Sequence, residues 1–358
     1  MKVVFRVDSA AHIGSGHLMR CLTLAEALRD QDVQVSFVCR ELSGNLISLL
    51  RKKEMAVLVL SAPTINSVKS INDYTAWLGV SQAEDAAQTI LALDGEKPDW
   101  LVIDHYGLDV LWEKMLRSYC GRIMAIDDLA NRQHDCDVLL DQNYSVESEQ
   151  RYKALVPKSC HVLLGPTYAL LRKDFQILRQ QQVGRCNALK QLLVFFTAGD
   201  DQGETLKAMQ GIALFGKAEQ VNVVIGNANP DMLAIKAICM TKNWGYHCQV
   251  DYMPTLIAKA DLVIGGSGSS NWERCALGVP ALVVILAENQ ANIARALDSA
   301  GVVINLGWNT TMQAIDYATA LNAMTAELLV ALSEQALKLV DALGAKRVVD
   351  ILITKQAV

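Results

Sequence analysis

Val3-Val4-Phe5-Arg6-Val7-Asp8-Ser9-Ala10-Ala11-His12-Ile13-Gly14-Ser15-Gly16-His17-Leu18 decides the fold. A short apolar run ends in a polar turn, and Leu18, Leu22, Leu24, Ala25 and Leu28 then recur at helical spacing. That is a strand, a glycine turn and the start of a helix. Such a junction presents backbone N–H groups and a positive helix end, so it suits a phosphate or diphosphate. Gly14, Ser15 and Gly16 are therefore candidate anion-binding residues, and His17 places a titratable group beside them. The spacing is not GxGxxG and lacks the Lys-Ser/Thr ending of a P-loop. Glycines in a strand–helix turn are often purely structural, so the tetrad alone decides little.

The 358 residues suffice for two domains, and 51% hydrophobic against 20% charged residues allows large buried cores. A net charge of −5 without basic runs argues against nucleic acid as a partner. Neither a leader with a cleavage site nor an apolar stretch of about twenty residues is visible, which predicts a cytoplasmic protein with no membrane partner. The nine cysteines include no CxxC pair, which disfavours a zinc site or a disulfide framework and fits a reducing compartment. No cofactor and no metal are expected. A chain of this size completes a cleft site alone, which favours a monomer.

Apolar runs at Val33–Val38, Ala56–Leu60, Trp100–Ile103, Ile123–Ile126 and Val138–Leu140 read as buried strands. Helical patterns at 18–30, 43–53, 82–94 and 109–118 alternate with them. Continuous rather than alternating apolar runs predict a parallel sheet covered on both faces. The texture changes near residue 180, and a second series begins at Leu192 and continues through Val221–Ile225, His247–Val250, Leu262–Ile264, Ala281–Ile285 and Val302–Ile304. Residues 325–355 read as long helical material. The expectation is α/β, with two doubly wound Rossmann-like domains, 1–180 and 181–358, facing across a cleft that holds the ligand.

The second half has its own glycine cluster, Gly265-Gly266-Ser267-Gly268-Ser269-Ser270-Asn271-Trp272-Glu273, after an apolar run and opening a helix. Gly278-Val279-Pro280, a strand and Glu288-Asn289-Gln290 follow. Gly266, Ser267, Gly268 and Ser269 read as nucleotide-binding, the first glycines letting a diphosphate approach the backbone. Glu273 suits the two hydroxyls of a ribose, and the Asn289 and Gln290 amides suit phosphate or sugar hydroxyls.

This ordering resembles the C-terminal domain of GT-B enzymes that use UDP-sugars, especially the bacterial transferase that adds N-acetylglucosamine in peptidoglycan synthesis. Arg6-Val7-Asp8-Ser9, Ile13-Gly14-Ser15-Gly16-His17, Trp77-Leu78-Gly79-Val80, Ile103-Asp104-His105-Tyr106, Ile126-Asp127-Asp128-Leu129 and Leu163 to Arg172 narrow it further. With them the chain, from residue 3 to about 300, resembles the UDP-sugar hydrolase of pseudaminic acid biosynthesis. That family cleaves UDP-2,4-diacetamido-2,4,6-trideoxy-β-L-altropyranose to UDP and free sugar with inversion. The resemblance implies that His17 is the catalytic base and that Tyr106, Asn289 and Gln290 contact substrate. Two departures stand out. Val7-Asp8-Ser9-Ala10 replaces the usual Ala-Asp-Ser-Ser, and Phe196-Thr197-Ala198-Gly199-Asp200-Asp201 replaces Phe-Gly-Gly-Ser-Asp. The added carboxylate is expected to weaken anion binding at 198–201 or to signal a related sugar.

UDP is a good leaving group, so one base and a well-held diphosphate suffice without a carboxylate pair. His105 is the rival base. His12 is a loop histidine near substrate or solvent. Asp8 orients His17, binds a sugar hydroxyl or caps its strand, and Asp104, Asp127 and Asp128 read as turn and polar cleft residues. A GT-B glycosyltransferase with a UDP-amino sugar donor and a non-catalytic nucleotide-sugar binding protein are the alternative readings.

Overall fold

The computed structural model describes residues 1–63, 74–145, 148–181, 189–199 and 201–354. Two compact units are present: Met1–Leu170 with Leu343–Val358, and Leu171–Ala342.

The first unit contains β1 (Lys2–Val7), β2 (Gln34–Arg40), β3 (Ala56–Leu60), β4 (Trp100–Asp104), β5 (Arg122–Ile126), β6 (Val138–Asp141) and β7 (His161–Leu164). Among the described residues they form one parallel sheet in the order β3-β2-β1-β4-β5-β6-β7. The strand period of two divides its apolar residues between two cores. Val3, Phe5, Val7, Trp100, Val102, Met124 and Ile126 pack on one face, with Leu18, Leu22 and Leu28 of the helix Gly16–Arg29. Val4, Leu101, Ile103, Ile123 and Ala125 pack on the other, with Ala86 and Trp112 of the helices Gln82–Ala92 and Val110–Leu116. Covering both faces is what the unbroken apolar runs demand. β1 feeds the helix leading to β2 on one side, while β4 lies on its other side. The order therefore reverses between β1 and β4, where doubly wound sheets bind ligands at the carboxyl ends of the strands.

The second unit contains β8 (Gln191–Phe195), β9 (Gln220–Ile225), β10 (Gly245–Cys248), β11 (Leu262–Gly266), β12 (Ala281–Ile285) and β13 (Ile304–Trp308). Their order is β10-β9-β8-β11-β12-β13, all parallel, with the reversal between β8 and β11.

Several details depart from the sequence expectation, among them β10, which runs Gly245–Cys248 where His247–Val250 is expected. The edge strand β7, His161–Leu164, is absent from the sequence reading, which ends the first series of strands at Val138–Leu140. β13 begins where the predicted strand ends, because Val302 and Val303 are buried in the preceding loop. The long C-terminal helical region is two helices, Ala326–Leu339 and Gly344–Thr354, and the second belongs to the first unit, not to the domain 181–358. Ala345, Val348, Val349 and Leu352 join the β1 face of that core, and the Trp100 indole N–H donates to the Leu352 carbonyl at 3.1 Å. Only a residue without a Cβ fits at Gly344, since an added Cβ would stand 2.3 Å from the Ala169 carbonyl oxygen.

Gly344→Ala is therefore expected to lower stability by about 1–3 kcal/mol through overpacking. Denaturant melts check this, and wild-type stability in the variant would show that the helix docks without that contact.

Candidate active site

The turn after β1 carries His17 as the second residue of the helix Gly16–Arg29. Gly14 has φ +80°, and an added Cβ at Gly14 or Gly16 would meet nothing within 4 Å, so the backbone there is open to a ligand. No side chain caps this helix start, and the Ser15 hydroxyl makes no capping bond. Its first N–H groups keep the anion-binding character expected of an uncapped helix end.

His17 Nδ1 lies 2.6 Å from Asp104 Oδ1, at the carboxyl end of β4. The same carboxylate takes two bonds from Arg20, Nε to Oδ2 at 2.6 Å and Nη2 to Oδ1 at 2.7 Å. Arg20 also donates through Nη1 to Asp128 at 2.9 Å, and Asp128 accepts from the Tyr106 hydroxyl. Asp104 is fully buried. Burial acts to raise its pKa, but the Arg20 guanidinium and His17 outweigh burial and hold the carboxyl well below the usual range. Arg20 Nη2 also lies 3.1 Å from Nδ1, but its shorter bond is to Asp104 Oδ1 at 2.7 Å, so the ionised carboxylate at 2.6 Å favours the neutral imidazole with its proton on Nδ1 and its lone pair on Nε2. That is the arrangement of a general base.

Aromatic rings wall the histidine. The His17 ring meets Tyr106 edge to face at 4.5 Å and Trp77 at 6.2 Å, and Trp77 stacks on Tyr106 at 5.5 Å. Tyr74 packs against both. His12 meets Trp77 at 6.3 Å, and burial lowers its pKa. Tyr106 thus touches the candidate base, although its hydroxyl is engaged by Asp128 rather than free for substrate.

Asp8 is corrected. Its carboxylate is fully buried, accepts two Arg6 bonds at 2.7 and 2.9 Å and takes the Arg40 backbone N–H at 2.7 Å. It neither orients His17 nor faces a sugar. Arg6 also bonds Asp85, as do Arg40 and the Trp112 indole, so the network clamps the turn to the helix Gln82–Ala92. Asp104, read from sequence as a turn or cleft residue, takes the orienting role instead. Arg20 was missed as well. The signal available was its spacing, since positions i and i+3 share a helix face and both point to the end of the neighbouring strand.

In the second unit the glycine cluster follows β11, beside the sheet reversal. A Cβ on Gly265 would stand 2.1 Å from the Phe195 carbonyl oxygen, and one on Gly266 2.8 Å from that of Phe196. These glycines serve strand packing, which corrects the reading of Gly266 as a point of ligand approach. Gly268 is the open one, where a Cβ would meet only Gln290 Nε2, at 3.8 Å. Gln290 Oε1 accepts from the Leu286 N–H at 3.1 Å, so its amide nitrogen is turned to the glycine loop. Ser267 is fully buried and its hydroxyl accepts from Asn271 at 3.2 Å, so it is structural here and not exposed to a nucleotide. Ser269 and Asn289 are exposed, and Glu273 is half-buried. Burial raises the Glu273 pKa against the pull of Arg172 and Arg274.

The expected weakening of anion binding at 198–201 does not come from Asp201. That carboxylate is buried and accepts from the Gly203 N–H at 3.1 Å, from Asn229 at 3.2 Å and from the Thr205 hydroxyl, closing its own loop. Asp200 lies outside the described residues.

Comparison with known proteins places the chain among sugar-nucleotide enzymes by family and fold. Residues 194–344 match the model of the glycosyltransferase family 28 C-terminal domain. The UDP-2,4-diacetamido-2,4,6-trideoxy-β-L-altropyranose hydrolase of Campylobacter jejuni is 30% identical over 244 residues, 68% of this chain and 76% of that protein. The chain belongs to this hydrolase's family. The spore coat polysaccharide biosynthesis protein SpsG of Bacillus subtilis is 22% identical over 312 residues, 86% of this chain and 84% of that protein. Among solved structures, MurG of Acinetobacter baumannii superposes with a TM-score of 0.66 at 14% identity, covering 99% of each chain. The fold is thus the GT-B type, with two Rossmann-like domains. Among the described residues no helix is long and apolar enough to cross a membrane.

His105 is 3% exposed, and its Nδ1 accepts from the Gly107 N–H at 3.0 Å, which puts the ring proton on Nε2, 3.5 Å from Asp8. Burial, opposed by Asp8 and aided by Arg6, pushes its pKa down to about 4. An unfolded histidine takes up its proton near pH 6.5, so His105 supports folding fully above that pH. That support is lost as the pH falls from 6.5 to about 4, at up to about 1.4 kcal/mol per pH unit. Denaturant melts at about pH 7.5 and about pH 5 should show wild type losing more stability than His105→Asn. Equal losses would contradict the neutral, buried assignment.

Proposed function

We propose that this chain hydrolyses a UDP-linked 2,4-diacetamido-2,4,6-trideoxy-L-altrose to UDP and the free sugar, with inversion, as a step of pseudaminic acid biosynthesis. The observation that carries the reading is the 2.6 Å contact between His17 Nδ1 and the ionised Asp104, beside an open glycine turn. Binding alone needs no such pair.

In this reading Nε2 of His17 takes a proton from water as the water oxygen attacks the anomeric carbon. The bond from that carbon to the β-phosphate oxygen breaks, and its electron pair leaves with UDP. Asp104 stabilises the imidazolium that forms, and the proton then passes to solvent. The uncapped N–H groups at Gly16 and His17 stabilise negative charge near the reacting centre. In the second domain Gly268, Ser269, Asn289 and Gln290 are assigned to the nucleotide's phosphates and Glu273 to its ribose hydroxyls. The match to a glycosyltransferase family 28 domain favours a second reading, transfer of the sugar to an acceptor other than water.

NMR of the protein mixed with the UDP-sugar alone separates the two. Release of UDP and free sugar, with ¹⁸O from labelled water entering the sugar and not UDP, is expected. Unchanged substrate without an acceptor would sink the hydrolase and support the transferase. EDTA should leave turnover unchanged, and strong inhibition would contradict a metal-free mechanism. His17→Ala should lower kcat by about 10²–10⁴-fold with folding intact. Asp104→Asn should cost about 10²-fold or more, because the amide no longer selects the Nδ1–H tautomer. Full activity in either variant would move the base elsewhere.

A further inference from the structure

Arg274, in the helix Ser270–Ala276, is 2% exposed. Its guanidinium lies at the carboxyl ends of β8 and β11. Nη1 is 3.3 Å from the point a Gly265 Cβ would occupy, and that point is 2.1 Å from the Phe195 carbonyl oxygen. Nη2 donates to Gly266 O at 3.4 Å and to Asn271 Oδ1, and Asn271 in turn donates to the Ser267 hydroxyl. Nε and Nη1 have no hydrogen-bond partner among the described residues. Burial pushes the pKa down to about 10, against the pull of Cys275 and Glu273, so the group remains charged at neutral pH.

A buried charge with incomplete hydrogen bonding is costly. This one stands where the strand order of the second sheet reverses, the place where doubly wound sheets take their ligands. In the same glycine cluster, Gly268 leaves the backbone open. The local charge is therefore positive, tempered by Glu273 but in no ion pair among the described residues, in a cluster whose backbone an anion can approach.

We propose that Arg274 is a positioning residue for the diphosphate of a bound nucleoside diphosphate, holding the Gly266–Ser267 turn through Asn271 and setting a fixed positive charge beside it. The inference rests on the reading that the second domain takes UDP. It goes beyond that reading by making affinity depend on a side chain that does not touch the ligand and that responds to the ligand's charge.

Calorimetric titration of the whole protein with UDP and with uridine tests it. Arg274→Gln is expected to weaken UDP binding about tenfold or more, the scale of one charge–charge interaction through protein, and uridine binding by less than about twofold. Arg274→Lys, which keeps the charge, is expected to recover most of the UDP preference. In wild type the preference for UDP over uridine should persist at about 1 M salt, because a buried charge is screened little. That last measurement needs no variant to fold. Equal losses for UDP and uridine in Arg274→Gln, or a wild-type preference abolished by salt, would overturn the proposal while leaving the UDP site standing. Failure of wild type to bind UDP would overturn both.

Discussion

The first domain depends on one buried carboxylate. Asp104 ends β4, next to β1, and four groups from the helix that follows β1 converge on it: His17 Nδ1, Arg20 Nε, Arg20 Nη2 and the Cys21 thiol. It therefore ties the two strands at the sheet reversal to the helix that starts there. A carboxylate so placed is costly unless it is paired, and Arg20 makes it ionic. Once ionic, it dictates which nitrogen of His17 carries the proton. Packing, charge and tautomer are then one constraint.

The surroundings reinforce it. Arg6, Asp8, Asp85 and Arg40 form a second buried network on the other face of the sheet and fix the path of the chain as it leaves β1. Arg20 reaches on to Asp128, which holds the Tyr106 hydroxyl and so the ring that packs on His17. The imidazole is confined by an aromatic wall and one charged partner, while the glycines preceding it leave space. The second domain uses its glycines differently. In its glycine cluster Gly265 and Gly266 admit carbonyls of the neighbouring segment, and Gly268 alone of the three opens outward. The buried cation there is Arg274, held by an amide and a carbonyl instead of a carboxylate.

Much of this was legible in the sequence where a local pattern governs. Unbroken apolar runs such as Trp100–Ile103 and Ala281–Ile285 became central strands because both their faces are covered. Both glycine turns fall at sheet reversals, which the sequence analysis did not predict. The pairing of charges was not legible, because it depends on strand order. Asp8 is nine residues from His17 and serves Arg6, whereas Asp104 is 87 residues away and serves His17. Strand adjacency decides between them, and no spacing reveals it. Ser267 and Asp201 were misread for a related reason, since a polar residue in a glycine loop closes that loop on itself as readily as it meets a ligand. The final helix was invisible to a domain boundary drawn once along the chain, because its docking on Ala169 and Trp100 is a long-range contact.

The tautomer of His17 tests the central claim most directly. Long-range ¹H–¹⁵N correlation spectra of the histidine-labelled protein, with His17 assigned through a His17→Gln spectrum, distinguish a protonated Nδ1 from a protonated Nε2. The neutral ring should carry its proton on Nδ1 with the lone pair on Nε2, and Asp104→Asn should remove that preference. A neutral His17 protonated on Nε2 would contradict the account.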